Sequence, residues 1–263
     1  MAMSTHERWT RLLEILGEQG RIEVAEAAEL LGVSLATVRR DMEELARQQL
    51  LTRTRGGAVL SGVAYDLPLR YKTARQADEK HRIARAAAGL VRPGAVVGLN
   101  GGTTTSEVAR ELATRADLAD HPHGTALTVV TNAINIAHEL AVRPYVKTVV
   151  TGGVARPSSY ELTGPLATTL LQGLSLDYAI LGVNAFDPKY GATAHDEGEA
   201  SANRAMAERA EKVIVVADST KLGHRAFAQV CATSEIAVLV TDKGAPDELV
   251  EQLGGQGVEV LRA

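Results

Sequence analysis

Gly32-Val33-Ser34-Leu35-Ala36-Thr37-Val38-Arg39-Arg40-Asp41-Met42 decides how the N-terminal part of this chain folds. Gly32 is a helix stop and Ser34 is a candidate N-cap for the helix that follows. Leu35, Val38, Met42 and Leu45 then recur at helical spacing and predict the buried stripe of a helix from Leu35 to about Gln48. Ala36, Thr37 and Arg40 point the other way, with Arg39 on the flank. Upstream, Val24, Ala27, Ala28 and Leu31 predict a second, shorter helix, and Trp9, Leu12, Leu13 and Leu16 a first. Helices joined by Gly-Val-Ser predict a helix-turn-helix whose third helix enters the DNA major groove. Thr37 and Arg40, early in that helix, are expected near base edges, since Arg can donate two bonds to guanine. Arg39 and the Ser34 cap are expected at phosphate, where the helix N-terminus also helps.

Leu50-Leu51-Thr52-Arg53-Thr54-Arg55-Gly56-Gly57-Ala58-Val59 follows. Alternation and then paired glycines predict a hairpin wing, with Arg53 and Arg55 projecting to one side onto the DNA backbone or minor groove. A bland three-helix bundle with solvated arginines would account for one helix alone. Three helices, the turn and an arginine-flanked hairpin together favour a DNA-binding module.

The bulk numbers constrain the rest. A chain of 263 residues suits a small domain plus a medium one. With 45% hydrophobic residues and only 3% aromatic, its cores are built from Ala, Val, Leu and Ile. The net charge of −4 does not advertise nucleic-acid binding, and residues 1–57 carry eight Arg against nine acids. From Ser34 to Gly57 the balance turns to five Arg against three acids, so the DNA footprint is local. No apolar run approaches the ~20 residues of a membrane helix, and the N-terminus lacks the apolar core of a signal peptide. The single cysteine, Cys231, excludes an internal disulfide, and no Cys/His cluster has zinc spacing. The expectation is a cytoplasmic protein with no metal and no cofactor.

Residues 60–73, with Gly62 and Pro68 and no clear period, are expected to link a DNA-binding domain at 1–59 to an α/β domain at 74–263. In the latter, apolar runs of strand length fall at 95–100, 127–132, 148–153, 178–183, 212–218, 236–242 and 258–261. Helical patterns at 106–112, 134–140, 200–210 and 247–253 separate most of them. This alternation predicts a mainly parallel sheet covered on both faces. Polar clusters follow the strand ends: Asn100-Gly101-Gly102-Thr103-Thr104, Thr131-Asn132, Gly152-Gly153 and Asp218-Ser219-Thr220-Lys221. Ligands of open α/β sheets bind there. The glycines and threonines have the chemistry of a phosphate cradle at a helix N-terminus, without the Gly-Lys-Ser/Thr of a P-loop. Lys221 is either its counter-charge or a solvated lysine. Asp196 and Glu199 have N-cap and N3 spacing, and both could also accept from sugar hydroxyls.

Val33–Met42 together with Thr52-Arg53-Thr54-Arg55-Gly56-Gly57-Ala58 resembles the signature of the DeoR family of sugar-metabolism repressors. The resemblance continues through Glu79-Lys80, Gly102-Thr103-Thr104, Thr131-Asn132, Gly152-Gly153, Gly164, Glu199-Ala200 and Asp218–Lys221. It implies a sensor domain similar to ribose-5-phosphate isomerase, a phosphorylated sugar as inducer, double-stranded operator DNA as target, and a dimer or tetramer. It further implies that Gly102, Thr103, Thr104 and Lys221 hold phosphate while Asn100 and Glu199 address the sugar. Asn100 departs from the Asp of many relatives. The competing expectation is an isomerase-like enzyme with an accessory helix-turn-helix, using a carboxylate such as Asp187, Asp196 or Glu199 as base.

Overall fold

The computed structural model describes residues 3–48, 50–60, 76–120 and 125–263. The chain divides into two compact units, Met1–Arg75 and Gln76–Ala263. The linker expected at 60–73 falls, apart from Leu60, outside the described residues.

In the first unit, α1 (Thr5–Gln19) begins with a capping box between Ser4 and Glu7. β1 (Arg21–Glu23), α2 (Val24–Leu31) and α3 (Leu35–Arg47) follow. Gly32, at φ 63°, lets the chain reverse after α2, a conformation that costs other residues more. Ser34 caps α3 by accepting from the Thr37 N–H. β2 (Leu51–Arg53) and β3 (Gly57–Leu60) form the wing, and β1 pairs with β3 to complete a three-stranded antiparallel sheet. Leu12, Leu16, Val38, Met42 and Leu45 are fully buried together. Two local expectations fail. Leu35 is 47% exposed and stands outside the core, because α3 turns its buried face from Val38 onward. Arg55 lies in the turn between β2 and β3, so the two-residue period does not extend to it and Arg53.

The second unit begins with α4 (Ala77–Gly89). Seven strands then build one sheet: β4 (Val96–Leu99), β5 (Leu127–Thr131), β6 (Val146–Val150), β9 (Leu176–Gly182), β12 (Ala210–Val216), β14 (Ile236–Thr241) and β15 (Glu259–Arg262). Their order is β15-β14-β12-β9-β4-β5-β6 and every pairing is parallel. All seven expected strands are present, within a few residues. On one face α4, α5 (Thr103–Leu112) and α7 (Ile134–Ala141) pack through Ile83, Val108 and Ile136 onto Val97, Leu99 and Val129. On the other face α8 (Pro165–Gln172), α9 (Glu197–Ala207) and α10 (Asp247–Gly255) pack through Leu171, Met206 and Leu253. A short α6 (Ala116–Ala119) lies between α5 and β5. Gly98 of β4 faces this second layer, and a Cβ there would lie 2.7 Å from Met206 Cγ. Glycine therefore lets α9 approach the sheet closely.

The helix expected at 200–210 runs instead from Glu197 to Ala207, because β12 already begins at Ala210. Two antiparallel additions are absent from the sequence reading. One is the hairpin of β7 (Val154–Ala155) and β8 (Leu162–Thr163). The other groups β10 (Ala185–Asp187), β11 (Gly191–Ala194) and β13 (Ala228–Cys231). Strands of two to four residues are too short for a period-2 pattern to show.

Candidate functional site

The first unit's polar chemistry collects on α3 and the wing. Arg39 and Arg40 are exposed, and the Arg40 side chain has no hydrogen bond or ion pair among the described residues. Ser34 Oγ lies 2.9 Å from Thr37 Oγ1, so the two hydroxyls form one polar end to the helix. Arg53 reaches back from the wing, donating to the Arg39 carbonyl at 3.4 Å and to Glu43 Oε1 at 3.3 Å. Arg55 is exposed in the wing turn. Sequence reasoning missed Asp41, which is 5% exposed. Arg8 grips both its oxygens, Nε to Oδ2 at 2.6 Å and Nη2 to Oδ1 at 3.0 Å, and Trp9 Nε1 donates to Oδ1 at 2.7 Å. The hydrogen bond to Asp41 raises the Arg8 pKa above its ordinary value. This clasp fixes α3 to α1 and so sets the angle at which Arg39 and Arg40 are presented.

In the second unit, the polar residues at the strand ends converge. Gly102 precedes α5 without a side-chain cap, leaving first-turn N–H groups that suit an anion. Thr104 is 2% exposed, and its Oγ1 is buried without a hydrogen-bond partner among the described residues. Next to this turn, Asn100 Oδ1 accepts from the Gly182 N–H at 2.8 Å and Asn100 Nδ2 donates to the Gly182 carbonyl at 2.9 Å. Asn100 therefore joins β4 to β9, and the expected sugar contact gives way to a backbone clamp that uses both ends of its amide. Lys221 lies in the 3-10 turn Ser219–Lys221, which is capped by Asp218. Its Nζ donates to the Val183 carbonyl at 2.7 Å. The start of α5 and the lysine each reach the end of β9, since a Cβ on Gly182 would lie 3.3 Å from Thr105 Cγ2 and the ammonium sits at the next residue, Val183. Asp242 steadies the lysine's turn by accepting from the Ser219 N–H at 2.6 Å. Burial pushes the Asp242 carboxyl up, but the N–H groups of Ser219 and Gly244 outweigh it and hold the pKa below the ordinary value.

A second group of polar residues comes from the end of β5, the β7–β8 hairpin and the start of α9. Thr131 Oγ1 accepts from the Ala133 N–H, and Asn132 Nδ2 donates to Glu161 Oε2 at 3.1 Å. Asn132 Oδ1 is buried without a partner among the described residues. Gly152 and Gly153 both have positive φ, and a Cβ on Gly153 would lie 2.7 Å from the Thr163 carbonyl, so Gly153 admits the hairpin. Asp196 is the N-cap of α9, accepting from the Glu199 N–H at 2.9 Å. Arg156 joins hairpin to helix, donating Nη1 to Asp196 Oδ2 at 2.8 Å and Nε to Glu199 Oε1 at 2.9 Å. His195, which precedes this cap, is exposed.

Arg156 and Glu161 went unread in the sequence. Their only sequence signal is charge placed five residues apart between Gly153 and Gly164, inside a hairpin too short to predict. Tyr160 between them adopts φ 62°, outside the ordinary range of a non-glycine residue. It is held there by its N–H to the Arg156 carbonyl at 2.9 Å and by its carbonyl accepting from Ile134 at 3.0 Å. Backbone held in this way keeps Glu161 against Gly101, where a Cβ would lie 2.3 Å from Glu161 Cγ. Gly101→Ala is therefore expected to push Glu161 off Asn132 and weaken any ligand of this pocket by about tenfold or more. Isothermal titration of the variant beside the parent chain measures the effect, and an unchanged affinity contradicts it.

Among the described residues, no group of three or more His, Cys, Asp or Glu is arranged to hold a metal. No described helix is long and apolar enough to cross a membrane.

Comparison with known proteins matches both units. Residues 8–62 match the family model of the DeoR-like helix-turn-helix domain, and residues 75–243 that of the DeoR C-terminal sensor domain. The HTH-type transcriptional regulator GlpR of Haloferax volcanii is 34% identical, over 97% of this chain and 96% of its own length. The glycerol-3-phosphate regulon repressor of Escherichia coli K12 is 29% identical, over 98% of this chain and 99% of its own. Among solved structures, ribose 5-phosphate isomerase A of Methanocaldococcus jannaschii aligns with 56% of this chain and 55% of its own, at 18% identity and TM-score 0.42. That likeness bears on no residue's role.

Proposed function

This chain belongs to the DeoR family of DNA-binding transcriptional repressors, and from that premise we propose that it represses a carbohydrate-utilisation operon and leaves its operator when a phosphorylated sugar binds. One observation carries the effector class: the uncapped start of α5, with its buried and unpartnered Thr104 hydroxyl, and the Lys221 ammonium both lie at the end of β9, beside Gly182 and Val183. Backbone N–H groups, threonine hydroxyls and a lysine suit a phosphate monoester. Gly101, Gly102, Thr103, Thr104 and Lys221 bind the phosphate. Asn132, Asp196, Glu199 and the newly recognised Glu161 supply acceptors for sugar hydroxyls. Thr131, Gly152 and Gly153 shape the pocket, and Asn100 holds it closed at the β4–β9 seam.

On the DNA side, Arg40 and Thr37 address base edges, while Ser34, Arg39, Arg53 and Arg55 hold phosphate. Reading two half-sites calls for a homo-oligomer, in the cytoplasm. Ligand control requires that the sugar phosphate prefer the DNA-free arrangement. The isomerase alternative is not favoured: Asp196 and Glu199 are tied to Arg156 and so poorly placed as bases.

A thermal-shift screen of phosphorylated sugars against the unphosphorylated sugars tests the effector class. Melting is expected to rise only with the phosphorylated members. Equal shifts from both series contradict the phosphate assignment. For the DNA side, Arg40→Ala is expected to weaken specific operator binding by about 1–3 kcal/mol and to leave the thermal shift intact. Operator discrimination retained in a gel-shift competition removes Arg40 from the base edges.

A further inference from the structure

The sensor unit carries an apolar outward face that its own fold does not use. Val154 is 72% exposed, Leu166 70% and Leu170 38%. They belong to consecutive elements, since Val154 of β7 pairs with Thr163 of β8 and α8 begins two residues later. The α8 sequence, Pro-Leu-Ala-Thr-Thr-Leu-Leu-Gln, holds no charged residue, although 23% of the chain is charged. Ala167 and Leu171 point inward and are fully buried, which leaves Leu166, Thr169 and Leu170 outward. A surface helix ordinarily puts charge on that side, and a helix that exposes leucines there instead suits an interaction site.

We propose that this face, α8 with the edge of β7, is where two copies of the chain meet about a two-fold axis. The inference rests on the reading of the chain as an oligomeric DNA reader and supplies its surface. Charge selects a second copy as the occupant. In a two-fold interface each patch meets itself, so any charge near the axis faces its own sign. Two copies of net charge −4 also repel, and approach most easily through a patch that carries none. An anionic membrane surface would call for lysines or arginines around the patch. The hairpin's one cation, Arg156, is already held by Asp196 and Glu199. The same hairpin carries Glu161, so an effector that rearranges the Arg156 clasp alters the face through which two copies associate.

Cys231 makes a clean test possible. It is the chain's one cysteine, it is 2% exposed, and burial raises its thiol pKa to about 12, so mild oxidation leaves it inert. Leu166→Cys and Leu170→Cys in the full chain place single reactive thiols on the face. Val142→Cys places one on a 71% exposed apolar residue elsewhere. Mild oxidation is expected to give a disulfide-linked dimer with at least one of the first two and not with the third. The double variant Leu166→Glu/Leu170→Glu is expected to sediment as a smaller species than the parent chain, with its melting temperature unchanged. Equal cross-linking of Val142→Cys, wild-type sedimentation of the double glutamate variant, or a monomeric parent chain would each overturn the proposal. The same proteins are melted with the phosphorylated-sugar panel. A retained shift alongside unchanged sedimentation rejects this face while leaving the sensor reading intact. Loss of the shift in the parent chain rejects the sensor reading by itself.

Discussion

An Asp41→Ala chain is expected to lose operator binding while its sensor unit melts unchanged. Asp41 accepts three hydrogen bonds, two from Arg8 and one from Trp9, at a position that is 5% exposed. Its removal strands a guanidinium whose side chain is 12% exposed. Breaking a buried pair by deleting one partner costs about 3–5 kcal/mol, because the remaining charge is left desolvated. A three-helix unit of this size has only a few kcal/mol to lose. The loss therefore falls on the platform that presents Arg39 and Arg40. Calorimetry should show the N-terminal transition displaced to lower temperature or abolished, with the sensor transition in place. Operator affinity near that of the parent chain would show that α3 is positioned by something other than this clasp.

The second large effect is expected at Lys221. Its ammonium lies in a capped turn fixed by Asp218 and Asp242, 2.7 Å from the Val183 carbonyl. Phosphate bound at the α5 turn would pair with it in a half-buried site. Truncating one partner of such a pair costs about 2–5 kcal/mol, which corresponds to at least ~30-fold in affinity. Lys221→Ala should therefore raise the sugar-phosphate concentration needed for operator release by that factor, with operator affinity itself unchanged. Release at the parent concentration removes Lys221 from the phosphate.

Much of this was legible in the sequence, for identifiable reasons. The inner strands β4, β5, β9 and β14 are apolar runs largely buried within the sheet, so composition alone marks them, while the edge strands β6 and β15 are more exposed. The helix-turn-helix shows because Gly32 and Ser34 have positional chemistry that survives out of context. Asp41 did not show, since a carboxylate on a helix is normally solvated and only the distant Arg8 and Trp9 reveal its burial. Leu35 misled for the opposite reason: spacing placed it on the buried stripe, but the helix start lies at the edge of the core. In the sensor unit the strand-end polar clusters were visible as types. Their division of labour was not, because it depends on register across strands. Asn100 faces Gly182, 82 residues away in sequence, and is spent on backbone. Arg156 and Glu161 lie in the turn between two-residue strands that carry no periodicity.

The claim on which the rest depends is that occupancy of the strand-end pocket lowers affinity for DNA. Fluorescence anisotropy of labelled operator DNA with the full chain, titrated with the sugar phosphate that raises its melting temperature, measures this directly. The predicted result is release of the DNA over the concentration range of the thermal shift, with both moved together to higher concentration in Lys221→Ala. Saturation of the pocket with no change in anisotropy would contradict it.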